Sequence, residues 1–130
     1  MAVGILLVTH EGIGRALLAV SERLLGRLPL RVEAVEIPFD ADADSCLPGA
    51  SGALRRVDEG DGVLILSDVY GATPSRVAAK VAQLGTPAQR ISGLGLPMLL
   101  RTLNYPETGL EELARIAAAG ARTGVIQNDA

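Results

Sequence analysis

Two stretches of this chain, Val3 to Thr9 and Gly62 to Ser67, are apolar almost without a break and rich in Val, Ile and Leu. A strand reads that way when both of its faces are covered, as in the middle of a parallel sheet. Between and around them lie segments with apolar residues at helical spacing. Arg15 to Leu25 carries Ala16, Leu17, Val20, Leu24 and Leu25, and Gly26 is a natural stop. Arg31 to Ile37 alternates charged and apolar side chains and predicts a less buried strand, closed by Pro38. Residues 39–52 read as a loop, Ser51 to Glu59 as a short helix, and Pro74 to Leu84 as a helix with Thr73 as its N-cap. Arg90 to Leu96 predicts a fourth strand. Pro97 to Leu103 and Glu111 to Ala119 predict two helices, and Thr123 to Gln127 a last short strand.

Strands and helices therefore alternate. That order predicts an α/β fold with a doubly wound, mostly parallel sheet and right-handed crossovers. The 130 residues suit one domain, taken as residues 1–127 with a frayed tail at 128–130. Apolar residues make up 48% of the chain but aromatics only 2%, so the core must be aliphatic.

Composition also narrows the function. The net charge is -3 and no Lys/Arg cluster stands out, which argues against nucleic acid as a partner. Cys46 is the only cysteine, so neither an intrachain disulfide nor a cysteine metal cluster is available. Asp40, Asp42 and Asp44 imitate calcium-loop spacing without the rest of the pattern and read as a solvated loop. No metal site and no cofactor are expected. The start of the chain is apolar but short and lacks a basic leader, so it reads as a strand. No apolar run approaches the roughly 20 residues of a membrane helix. A cytoplasmic protein without membrane insertion is the expectation.

In open α/β sheets ligands gather beyond the carboxyl ends of the strands. The only histidine, His10, follows the first strand, and Asp68 follows the third. In the common strand order 2-1-3-4 these strands are neighbours and the two side chains can meet. A carboxylate holding one ring N–H of an imidazole fixes the tautomer and leaves the other nitrogen able to attack phosphorus. Helix starts near Gly12 and at Pro74 offer backbone N–H groups and a favourable dipole to an anion. Gly12, Gly71, Thr73 and Ser75 are the phosphoryl-binding candidates, and Arg15 could add a cation. Gly12-x-Gly14 lacks the third glycine of a dinucleotide fingerprint, and the chain has no Walker lysine motif. The residues alone leave two readings open. His10 is a nucleophile oriented by Asp68, or the two are hydrogen-bonded loop residues and Thr73 is no more than a cap.

Three segments carry a resemblance to a known family. Gly4 to Gly12 (GILLVTHEG) is similar to a hydrophobic strand ending in a T/S-H-G turn. Gly62 to Pro74 (GVLILSDVYGATP) is similar to a strand followed by D-x-x-G-G-S/T-P. Gly93 to Leu99 (GLGLPML) is similar to G-x-N-x-P-M-L. Together they resemble the IIA component of the mannose family, also described as fructose IIA, of the bacterial phosphoenolpyruvate-dependent sugar phosphotransferase system. The resemblance runs from Val3 to about Ile126. Gly95 departs from it where Asn is common, Ala72 where a second Gly is common, and Ile13 where many members carry a bulkier or different residue.

The resemblance implies that His10 is phosphorylated through Nε2, that Asp68 is hydrogen-bonded to the ring, and that Thr73 lies near the phosphoryl group. The donor would be the histidine-containing phosphocarrier protein and the acceptor a IIB component on a separate chain. The fold implied is the 2-1-3-4 sheet with an antiparallel edge strand exchanged across a homodimer, for which Thr123 to Gln127 is the candidate. An alternative within the same resemblance is a regulatory module. There the phosphorylation state of His10 would switch binding to a kinase or regulator in a system without a permease.

Overall fold

The computed structural model describes residues 2–129. Met1, at the start of the expected domain, and Ala130, in the expected tail, lie outside the described residues. Four strands, β1 (Gly4–His10), β2 (Val32–Ile37), β3 (Val63–Ser67) and β4 (Ala88–Ser92), form one sheet in the order β2-β1-β3-β4. Every pairing is parallel. Among the described residues five α-helices accompany them: α1 (Gly14–Leu25), α2 (Leu47–Val57), α3 (Thr73–Val81), α4 (Leu96–Leu103) and α5 (Leu110–Thr123).

The unbroken apolar runs of β1 and β3 have the double burial that their composition demands. Successive side chains of a strand point to opposite faces. Ile5 and Leu7 of β1, with Leu64 and Leu66 of β3, pack on one side with Leu99, Leu103, Leu113 and Ala117 of α4 and α5. Leu6 and Val8, with Val63 and Ile65, pack on the other with Ala53, Leu54, Val77 and Val81 of α2 and α3. Helices thus cover both faces, and both layers are built from aliphatic side chains and Met98. Truncating a fully buried residue such as Leu66 to Ala would cost about 2–5 kcal/mol. The three aromatic residues, Phe39, Tyr70 and Tyr105, are all left out of this core.

Several element boundaries differ from the sequence expectation. The helix expected from Ser51 starts at Leu47, because Pro48 enters its first turn, where a missing N–H costs nothing. Strand β4 covers Ala88–Ser92 rather than Arg90 to Leu96. Gly93 turns the chain, and the Leu94 N–H then returns to the Ser67 carbonyl at 2.9 Å. Thr73 is not the N-cap of α3 but its first residue. The cap is Ala72, with extended backbone and no side-chain hydrogen bond. Thr123, expected in a strand, closes α5 and bonds its hydroxyl to the Ala119 carbonyl. Residues 124–129 carry no regular secondary structure in the single chain.

Candidate active site

Strand pairing sets where the polar residues emerge. Val8 pairs with Ser67 across β1 and β3, so the next residues along each strand, Thr9 and Asp68, leave the sheet at the same edge. His10 follows at once, opposite Ile37 of β2. Its ring Nδ1 lies 2.7 Å from Asp68 Oδ2, and its backbone N–H donates to the same oxygen at 3.0 Å. The second oxygen, Oδ1, accepts the Val69 N–H at 3.0 Å.

Burial pushes the Asp68 carboxyl up. The hydrogen bonds it accepts from the backbone and ring of His10 outweigh that and hold its pKa below the ordinary value. An ionised carboxylate can only accept, so Nδ1 carries a proton, and in the neutral ring the lone pair is then on Nε2. The His10 side chain is 25% exposed and Asp68 9%, so the carboxylate is covered while the imidazole reaches the surface.

Thr9 ties this strand end to α1. Its buried hydroxyl donates to the His10 carbonyl at 2.8 Å and accepts the Gly14 N–H at 2.9 Å. A β-carbon on Gly14 would lie 2.9 Å from that hydroxyl oxygen, so the contact requires glycine.

The other expected residues are distributed unevenly. The Gly12 N–H donates to Glu36 Oε1 at 3.1 Å, and the Arg15 N–H to Glu36 Oε2 at 2.9 Å. These two bonds, with the nearby Arg15 guanidinium, hold the Glu36 carboxyl below its ordinary pKa. The start of α1 is therefore already occupied by a carboxylate of this chain. Arg15, a candidate cation, has its guanidinium 3.3 Å from Glu36.

At the start of α3, Gly71 takes a φ of +89°, which an L side chain rarely adopts. The Arg76 guanidinium bonds the Gly71 carbonyl and the Thr73 hydroxyl oxygen, both at 2.9 Å. Because that oxygen accepts from Arg76, the Thr73 hydroxyl proton is available to another acceptor. Ser75 is buried, 4% exposed, and contributes to this end through its backbone N–H, one of the first-turn groups without an intrahelical acceptor.

Sequence reasoning missed Glu36, Arg76 and Phe39. Arg76 had a signal, its spacing of three residues from Thr73 on a helix start. Glu36 had none without the β1–β2 register, which places it opposite Thr9. The Phe39 ring stacks on the His10 imidazole, with centroids 5.4 Å apart and planes at 26°. Its only signal was being the sole phenylalanine, placed in a loop after Pro38. Of the loop aspartates, Asp42 accepts the Ser45 N–H and Asp44 pairs with Lys80. No group of three or more His, Cys, Asp or Glu residues that could hold a metal occurs among the described residues.

Residues 4–117 match the family model described as PTS system fructose IIA component. The chain is 28% identical over 127 residues to the PTS system mannose-specific EIIAB component of Escherichia coli (strain K12). That alignment takes in 96% of this chain and 39% of the relative, so the chain spans about two fifths of the curated protein's length. The mannose/sorbose specific IIA subunit of the phosphotransferase system from Enterococcus faecalis superposes with a TM-score of 0.87 at 22% identity, covering 100% of this chain and 97% of that one. The EIIA component from Streptococcus agalactiae does so with a TM-score of 0.81 at 19% identity, covering 96% of each. At those identities the likeness is one of fold.

Proposed function

This chain belongs to the family of PTS system fructose IIA components, and on that premise we propose that it relays a phosphoryl group between proteins on His10 Nε2. The observation that carries this reading is the 2.7 Å contact between Asp68 Oδ2 and His10 Nδ1. It fixes a proton on Nδ1 and leaves Nε2 of this partly exposed ring to supply the nucleophilic lone pair.

The donor is the phosphohistidine of the histidine-containing phosphocarrier protein. The Nε2 lone pair attacks its phosphorus in line. A bond forms from Nε2 to phosphorus as the donor's phosphorus–nitrogen bond breaks, and the departing electron pair stays on the donor imidazole. No proton changes hands, because the proton stays on Nδ1, donated to the Asp68 carboxylate, throughout. The product ring is formally cationic, and the Asp68 carboxylate offsets that charge. The same exchange then runs from His10 to a nucleophile of a IIB component. When that nucleophile is a ring nitrogen, one phosphoramidate replaces another and the step is close to reversible.

The three equatorial oxygens need donors. Since the N–H groups of Gly12 and Arg15 serve Glu36, the start of α3 supplies them: the N–H groups around Gly71, Thr73 and Ser75, and the Thr73 hydroxyl. In the same reading residues 1–127 act as one cytoplasmic IIA domain. A second copy covers the exposed Val125 and Ile126, with the segment after Thr123 laid along the outer edge of β4.

The test is intact mass after incubation with phosphoenolpyruvate, enzyme I and the phosphocarrier protein, beside His10→Ala. The expected result is one acid-labile phosphoryl group on the parent and none on the variant. A parent that stays unmodified while the phosphocarrier is charged overturns the reading.

A further inference from the structure

The chain owns three aromatic residues and spends its only phenylalanine on the surface, 72% exposed. An exposed phenylalanine held in a fixed place against a nucleophile needs a cause. Ile37 pairs with His10 in the sheet, so β2 delivers Phe39 two residues beyond the partner of His10. Pro38 restricts the approach, and the Ala41 N–H closes a turn onto the Pro38 carbonyl at 3.1 Å. Glu11, the residue after His10, then accepts the Phe39 N–H on Oε1 at 2.9 Å. The segment carrying the ring is thus anchored to the loop carrying the imidazole.

Asp68 holds the imidazole by one edge and Phe39 covers one face, at a centroid distance of 5.4 Å. An aromatic face carries negative quadrupolar potential and attracts a cation within about 6 Å of its centre. Phosphorylation at Nε2 with Nδ1–H retained makes the imidazole formally cationic, whereas the attacking form, with a lone pair on Nε2, is neutral. The stack is therefore stronger in the charged carrier than in the empty one. We propose that Phe39 is a positioning residue that biases the phosphoryl equilibrium toward His10, and that Glu11 acts through it by fixing its backbone. This inference rests on the relay reading above.

An equilibrium measurement separates this role from partner docking. A residue that only helps partners dock changes forward and reverse rates together and leaves the final partition unmoved. The charged phosphocarrier protein is mixed with parent, Phe39→Leu, Phe39→Trp or Glu11→Ala protein at a fixed ratio. The final phosphoryl distribution is read by intact mass. Phe39→Leu is expected to shift the partition constant about two- to five-fold toward the donor, and Phe39→Trp to restore or exceed the parent value. Glu11→Ala is expected to shift it in the same direction as leucine, by less.

The single histidine also gives an independent spectroscopic readout in the uncharged protein. Its ring-proton NMR signals lose an aromatic ring-current shift in Phe39→Leu, keep one in Phe39→Trp, and lose part of it in Glu11→Ala. Unchanged ring signals in Phe39→Leu would overturn the stack. Changed signals with a parent-like partition would overturn the bias toward phosphorylation. A parent that takes up no phosphoryl group overturns the relay and this inference together. That result differs from failure of the inference alone, in which the parent charges and Phe39→Leu matches it.

Discussion

Asp68 and Glu36 are two carboxylates at the same edge of one sheet, one following β3 and one near the end of β2. Both have pKa values held below the ordinary range by hydrogen bonds. Their partners differ in kind. Glu36 spends both oxygens on the backbone N–H groups of Gly12 and Arg15. Asp68 gives Oδ1 to the Val69 backbone, while Oδ2 accepts the His10 backbone N–H and also meets the ring of that partly exposed imidazole. A depressed carboxylate therefore marks good hydrogen bonding and does not by itself mark chemistry. The helix starts differ in the same way. That of α1 is neutralised from within the chain, while that of α3 carries the Arg76 guanidinium and a hydroxyl with a proton to give.

The largest effect that follows is at Asp68. Asp68→Asn keeps the size of the side chain but can present an amide N–H to Nδ1, which favours the tautomer with its proton on Nε2 and its lone pair buried. Phosphoryl uptake by His10, followed by rapid quench and intact mass, is expected to fall at least about 100-fold. Glu36→Gln in the same assay is expected to stay within about two-fold of the parent. Equal losses in the two variants would erase the distinction between the carboxylates.

Next in size are changes at the start of α3. Thr73→Val removes the hydroxyl while keeping its shape, and uptake should fall about 10- to 100-fold if that hydroxyl meets the phosphoryl oxygens. Arg76→Gln leaves the hydroxyl in place without the cation behind it, and a smaller loss of about three- to ten-fold is expected. Parent-like rates in Thr73→Val would move phosphoryl binding away from this helix.

What the sequence revealed, and what it hid, follows the range of the interactions. Continuous apolar runs in β1 and β3 could only be central strands. The edge to which those strands deliver His10 and Asp68 follows from their direction, so that pair was legible. Glu36 was not, since its neighbours Gly12 and Arg15 lie more than twenty positions away and meet it through the β1–β2 register. That pairing is also what takes the Gly12 N–H away from the expected phosphoryl site. The Phe39 stack depends on the same register and on a loop whose path no periodicity describes. Local signals misled at several boundaries, and two show how. Thr73 before Pro74 looks like a cap but is the first helical residue. Thr123 to Gln127, with its β-branched Thr123, Val125 and Ile126, looks like a strand, yet Thr123 completes α5.

The smallest expected effect is on stability, and it isolates Glu36. Its carboxylate acts as an N-terminal cap for α1 supplied from a neighbouring strand, so Glu36→Gln should cost about 1 kcal/mol in denaturant unfolding at neutral pH. The sign of the pH dependence follows from the lowered pKa. A carboxyl whose pKa is depressed on folding contributes stability that is complete above its unfolded value, about 4, and that is lost as pH falls through the folded value. The parent should therefore lose the Glu36 contribution below about pH 4, while the Gln variant has none to lose there. The stability gap between them should narrow as the solution is acidified. Asp68 imposes its own loss over the same range, but it is present in both proteins and cancels in the difference. A gap that is constant with pH would mean that Glu36 holds α1 by shape and not by its charge.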